Sequence, residues 1–158
     1  MSDKSDAIAA LESGYNGFRA RFASLPEEAY SEVWLGSWNL DQLLAHMAGW
    51  YREMAGAIGR VSRGERPAPE GVDYNDPEPW NLKFAAGAKH GKAALADFDD
   101  AFQAYDEAAR KLGEDQYGVD AERGRPRIGN RLLEGAGIGH FKEHLPELEH
   151  WLASRSQA

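Results

Sequence analysis

The sequence predicts an all-α protein, a four-helix bundle with a long crossover connection between helices 2 and 3. Three observations predict it. Apolar residues recur at steps of three and four along four separate stretches, the mark of amphipathic helices. No stretch carries a strand signal. The second and third stretches are joined by residues 61–79, VSRGERPAPEGVDYNDPEP, which hold four prolines and no period. That connection is longer than an antiparallel helix pair needs, so helices 2 and 3 are expected to run parallel.

The first helix is expected over residues 5–24. Its stripe is Ile8, Leu11, Tyr15, Phe18, Phe22 and Leu25, and Pro26 ends it. The second opens at Asn39, a good N-cap, with Gln42 three residues on to complete a capping box. Asp41 suits the positive end of the helix dipole. This helix runs to about Arg60, with Leu43, His46, Trp50 and Ala57 on one face and Glu53 beside them. The third stripe, from Phe84 to Leu112, predicts one long helix from Pro79 to Gly113, kinked around Gly87 or Gly91. Residues 113–127 read as loop. The last helix is expected from Ile128 to Ala153, with Leu133, Gly137, His140, His144, Leu148 and Trp151 inward and a bend or break near Pro146.

Length and composition fit a single domain over residues 1–158. The formal net charge of −8 argues against a nucleic-acid partner and against an anionic membrane surface. Any metal must be held by His, Asp or Glu, because the chain has no cysteine. The absence of cysteine, of a signal peptide and of a long apolar run points to the cytoplasm.

The histidines carry the functional signal. His140 and His144 stand one turn apart on the apolar face of the last helix, and His46 lies on the inward stripe of the second. A single inward histidine is usually a hydrogen-bonded core residue. Three are easier to explain as ligands of one ion, with a coordination position left open for chemistry. His90 and His150 fall off their stripes and are expected to be solvated. HFKEH also fits the H-x-x-E-H zinc-protease pattern, but only fourteen residues follow His144, too few for the further acidic ligand. Glu143 therefore reads as a solvated carboxylate at most near the rim. Glu53 and Glu147 lie nearer the inward direction and are the candidate catalytic groups, to orient an imidazole or take a proton.

Three motifs in register resemble one family. Residues 38–50, WNLDQLLAHMAGW, are similar to the helix-two signature of the DinB-like (YfiT-like) metalloenzyme superfamily. PWNLKF, residues 79–84, resembles the start of its third helix, and GHFKEHLPELEHWL, residues 139–152, resembles its last. The long loop looks closest to the branches with DfsB/ClbS-like self-protection proteins and maleylpyruvate-isomerase-like N-terminal domains. The resemblance implies a bundle with a crossover and one divalent ion, zinc or nickel, on His46, His140 and His144. It also implies homodimers, and activities that transfer low-molecular-weight thiols, isomerise maleylpyruvate with a thiol, or hydrolyse reactive compounds. Not all DfsB/ClbS-like members keep the histidine triad, so its presence here is a departure from that branch.

The expected function is a metal-dependent hydrolase or thiol transferase acting on a small electrophilic molecule. The alternatives are a non-catalytic protein that sequesters a toxic small molecule, and a domain whose metal serves stability alone. Trp50, Trp80 and Asn81 are the candidate ligand-binding residues, with Trp34 a further apolar wall. Arg123, Arg125, Arg127 and Arg131 form the one basic cluster, able to meet carboxylates or phosphates or simply to be solvated.

Overall fold

The computed structural model describes residues 2–156. Helix α1 spans Asp3–Ala20. The Ser2 side chain accepts from the Ser5 backbone, and Ser5 answers in a capping box, so the helix starts earlier than its apolar stripe suggests. Helix α2 spans Leu40–Ser62 and is capped by Asn39 and Gln42 as the sequence predicts. Between them, Val33–Leu35 (β1) and Trp38–Asn39 (β2) pair as a short antiparallel ladder that the sequence reading did not expect. A second such ladder joins Val119–Asp120 (β3) to Arg125–Pro126 (β4) inside the region read as loop. Ladders this short leave no alternation to detect.

The single long third helix is corrected. Helix α3 spans Glu78–Ala86 and helix α4 spans Lys92–Lys111, with a full break between them. The break is built rather than incidental. Gly91 sits at φ 59°, ψ −123°, a backbone conformation only glycine adopts without strain. Asp41, at the start of α2, accepts from the Gly91 backbone N–H at 2.9 Å and meets His90 Nδ1 at 2.7 Å. Glu27 accepts from the Lys92 N–H at 3.0 Å. His90 is therefore exposed but not merely solvated, because its ring holds the junction to α2.

The last helix also differs from expectation. Helix α5 spans Ile128–Leu133, a π turn covers Glu134–Ile138, and helix α6 spans Gly139–Ser156. The irregularity falls at the π turn, and the helix passes through Pro146 without breaking. Pro146 lies on the exposed side, as does Lys142 four residues earlier, so water can satisfy the carbonyl left without a donor.

Contacts fix the directions of the bundle. Asp41 and Gly91 meet near the starts of α2 and α4, and Arg52 meets Asp97 further along both. These two helices run parallel, with α3 and residues 63–77 crossing back between them. Tyr15 stacks on Phe102 at 3.8 Å while Lys4, at the other end of α1, bonds the Arg110 carbonyl, so α1 and α4 are antiparallel. Phe18 packs on Phe141 and Arg21 pairs with Glu149, which sets α1 parallel to α6. Phe18, Phe22, Leu43, Leu44, Met47, Tyr51, Phe98, Tyr105 and Leu148 form the fully buried centre. No helix among the described residues is long and apolar enough to cross a membrane.

Candidate metal centre

The core stripe of α2 carries His46, and the first two turns of α6 carry His140 and His144. The antiparallel facing of these helices brings the three rings together. Ring centroids lie 4.8 Å apart for His46 and His140, 5.9 Å for His46 and His144, and 4.7 Å for His140 and His144. One nitrogen from each ring falls within 4.8 Å of the other two. His46 Nε2 and His140 Nε2 are 2.9 Å apart. Two nitrogens bound to one tetrahedral zinc at about 2.1 Å would be about 3.4 Å apart, so a small opening of the pair suffices.

The chemistry of the donor set fits a cation. All three residues are buried, at 5%, 7% and 9% exposure. Burial pushes the His46 imidazole down to about 4, helped by the neighbouring His144 and opposed by the Asn81 side chain. Burial pushes His140 down to about 3, helped by His46 and His144 and opposed by the Ala136 backbone. At neutral pH these two rings are unprotonated, and their lone pairs are available. His46 Nδ1 is buried with no hydrogen-bond partner. His144 Nδ1 meets Glu147 Oε1 at 3.1 Å, the arrangement by which an outer carboxylate fixes the tautomer of a ligating imidazole.

Beside the rings opens a cavity of about 790 Å³, lined among others by Trp38, Trp50, Met54, Tyr74, Asn81 and Glu143. Trp50 Nε1 donates to Asn81 Oδ1 at 2.8 Å, which ties α2 to α3 at the cavity wall, and Asn81 itself lines the cavity. The helices can approach because Gly49 has no side chain: a Cβ there would lie 2.3 Å from the Phe84 ring.

The other sequence candidates separate. Glu147 lines the cavity, and Glu143 is exposed and lines it too. Glu53 does not: its Oε1 accepts from Tyr74 Oη at 3.1 Å, so this carboxylate anchors the crossover loop behind the cavity wall. Trp80 is a second layer, packed on Trp50 at 5.8 Å and donating to the Asp73 carbonyl. Trp34 stacks on Trp151 at 4.9 Å and stays outside the cavity. The arginines of the basic cluster surround the β3–β4 turn, where Arg123 meets Asp120 and Arg127 bonds the Tyr117 carbonyl. Several cavity residues, among them Trp38, Met54, Tyr74 and Glu78, were not sequence candidates. Trp38 packs 5.3 Å from His46, and Tyr74 lies in the loop. Trp38 stood in the motif around the N-cap, whereas Tyr74 has no periodicity to betray it.

The family model described as the DinB superfamily matches residues 10–144. The chain belongs to the DinB superfamily. No curated protein matches the sequence. Among solved structures, DfsB, a sibling lethal factor precursor, superposes with a TM-score of 0.76 at 16% identity over 98% of each chain. The colibactin self-resistance protein ClbS, solved in complex with double-stranded DNA, gives 0.75 at 15% identity over 93% of each chain. The mycothiol-dependent maleylpyruvate isomerase gives 0.70 at 15% identity, over 94% of this chain and 63% of that one. Identities this low establish the shared DinB fold.

The ClbS complex overturns the exclusion of nucleic acid made from net charge. A formal charge of −8 is a sum over the whole chain and does not describe any one face. Nucleic acid reads local potential, as does any charged partner.

Proposed function

We propose that this DinB-family chain is a metal-dependent enzyme acting on a small electrophilic molecule, of hydrolase or thiol-transferase type. The convergence of His46, His140 and His144 beside an open cavity carries the reading. These three residues would hold one divalent ion, zinc or nickel. Bound there, such an ion supplies Lewis acidity, which brings the pKa of water or of a thiol toward neutrality.

The chain's own groups divide the remaining work. Glu147 holds the ring of His144 and, exposed at the cavity edge, can take a proton from the nucleophile. Trp38 and Trp50 give the substrate an apolar wall, and Asn81 offers it a polar contact. The burial of the histidines keeps bulk water from competing for the reacting centre.

A non-catalytic sequestration role is the second reading. It is favoured by the size and aromatic walls of the cavity, which could trap a molecule without turning it over.

Elemental analysis of natively purified protein, alongside His46→Ala and His140→Ala, tests the first reading. Near-stoichiometric metal in the parent and its loss in both variants are expected. Metal-free parent protein would remove the basis for it. Turnover of electrophile panels with and without thiol, before and after chelation, then separates enzyme from trap: a trap keeps binding when the metal is gone.

A further inference from the structure

We propose that the cavity is selective for a positively charged ligand, one whose cationic group sits at the mouth while its neutral part faces the histidines. This rests on the reading of the cavity as the substrate site and names the class of molecule it takes.

The charge of the lining is one-sided. Glu78, Glu143 and Glu147 all line the cavity, and among the described residues no lysine or arginine does. Glu147 is engaged with His144. Glu78 and Glu143 are exposed, and among the described residues neither has a cation within salt-bridge distance. The nearby cations point elsewhere. Lys83 lies over the Trp80 ring at 5.9 Å, and Arg60 is bonded to the Pro67 carbonyl and to Tyr74 Oη.

The walls supply the second observation. Trp38, Trp50 and Tyr74 line the same space, and aromatic rings attract cations through their quadrupole. The buried His46, His140 and His144 line the same cavity and form its floor. A divalent ion at that floor would repel a cation, so the positive group belongs at the mouth, near the free carboxylates. An anionic ligand would meet two or three carboxylates on the way in, a cost that a small molecule avoids only by being neutral or positive.

The test is isothermal titration with three probes of one shape class: benzyltrimethylammonium, benzyl alcohol and benzoate. The quaternary nitrogen has no lone pair and cannot ligate a metal. In chelated protein, benzyltrimethylammonium should bind about tenfold tighter than benzyl alcohol, with benzoate weakest. The double variant Glu78→Gln with Glu143→Gln should cut that preference to about threefold. Glu70→Gln with Glu107→Gln, which removes equal charge from surface outside the cavity, should leave it unchanged.

Benzoate binding as tightly as the cation, no measurable cation binding, or equal losses in both double variants would each overturn the inference. Its failure and that of the metal reading are distinct. Metal analysis decides one, and the probe series on chelated protein decides the other.

Discussion

Glu147 shows how much of the site depends on single side chains outside the histidine triad. It lies one turn beyond His144 and contacts Nδ1, so it sets which nitrogen faces the cavity. Glu147→Gln keeps the shape and loses the charge. Metal affinity should fall about tenfold or more, read by competition with a chromogenic chelator, with melting behaviour of the chelated protein little changed. The two deeply buried rings make a separate prediction about pH. His46 and His140 are pushed from 6.5 to about 4 and about 3 in the folded protein. Below pH 6.5 the unfolded chain binds protons that the folded chain does not. Stability is therefore full above pH 6.5 and falls as the pH drops toward 4. For metal-free protein the loss between pH 7.5 and 5 should be roughly 2 kcal/mol per ring, measured by urea unfolding. His46→Gln should flatten part of that slope, and an unchanged slope would show that the ring is not buried as described.

At the scale of elements, the departures from regular helix are where the site is made. The break before α4 is locked by Asp41, which is 6% exposed and satisfied by Gly91 and His90. Gly91→Ala would place a Cβ 2.9 Å from the Glu27 carboxyl in a backbone conformation that disfavours any side chain. A loss of about 1–3 kcal/mol is expected in chemical denaturation. The π turn at Glu134–Ile138 does for α6 what Gly91 does for α4. One extra residue in the turn resets the register of the helix that follows, so the direction of His140 and His144 is set by residues just before them. The sequence put the irregularity at Pro146, where proline usually disrupts. It lies instead in a run containing Gly135 and Gly137, while Pro146 is carried on the wet face.

For the whole molecule, the site is a clamp between two helices distant in sequence. His46 comes from α2, and His140 and His144 come from α6. An ion binding all three stabilises the folded state by mass action, by about 2.7 kcal/mol at a hundred times its dissociation constant. For a chain of this length that is a rise in Tm of roughly 5–10 °C. Chelation should lower Tm by that amount in the parent and by far less in His140→Ala, read by scanning calorimetry. A parent indifferent to chelation would mean that the rings stabilise one another by hydrogen bonds alone. The same assembly shows what a net charge averages away. The acidic cavity mouth and the arginines around the β3–β4 turn lie on different parts of one surface, and a sum over the chain hides both.

The sequence by itself determined the amphipathic faces, the capping box at Asn39 and Gln42, the crossover between α2 and the helices after it, and the inward direction of three histidines. Each of these is local: a period, a cap or a proline-rich run acts within a few residues. Only the tertiary structure decided that Glu53 serves Tyr74 and not the cavity, that Trp38 stands against His46, and that helix three is two helices. Those outcomes depend on side chains far apart in the chain, Asp41 with Gly91 and Gly49 with Phe84. Such pairings take their energy from close packing and burial, which no window of sequence contains.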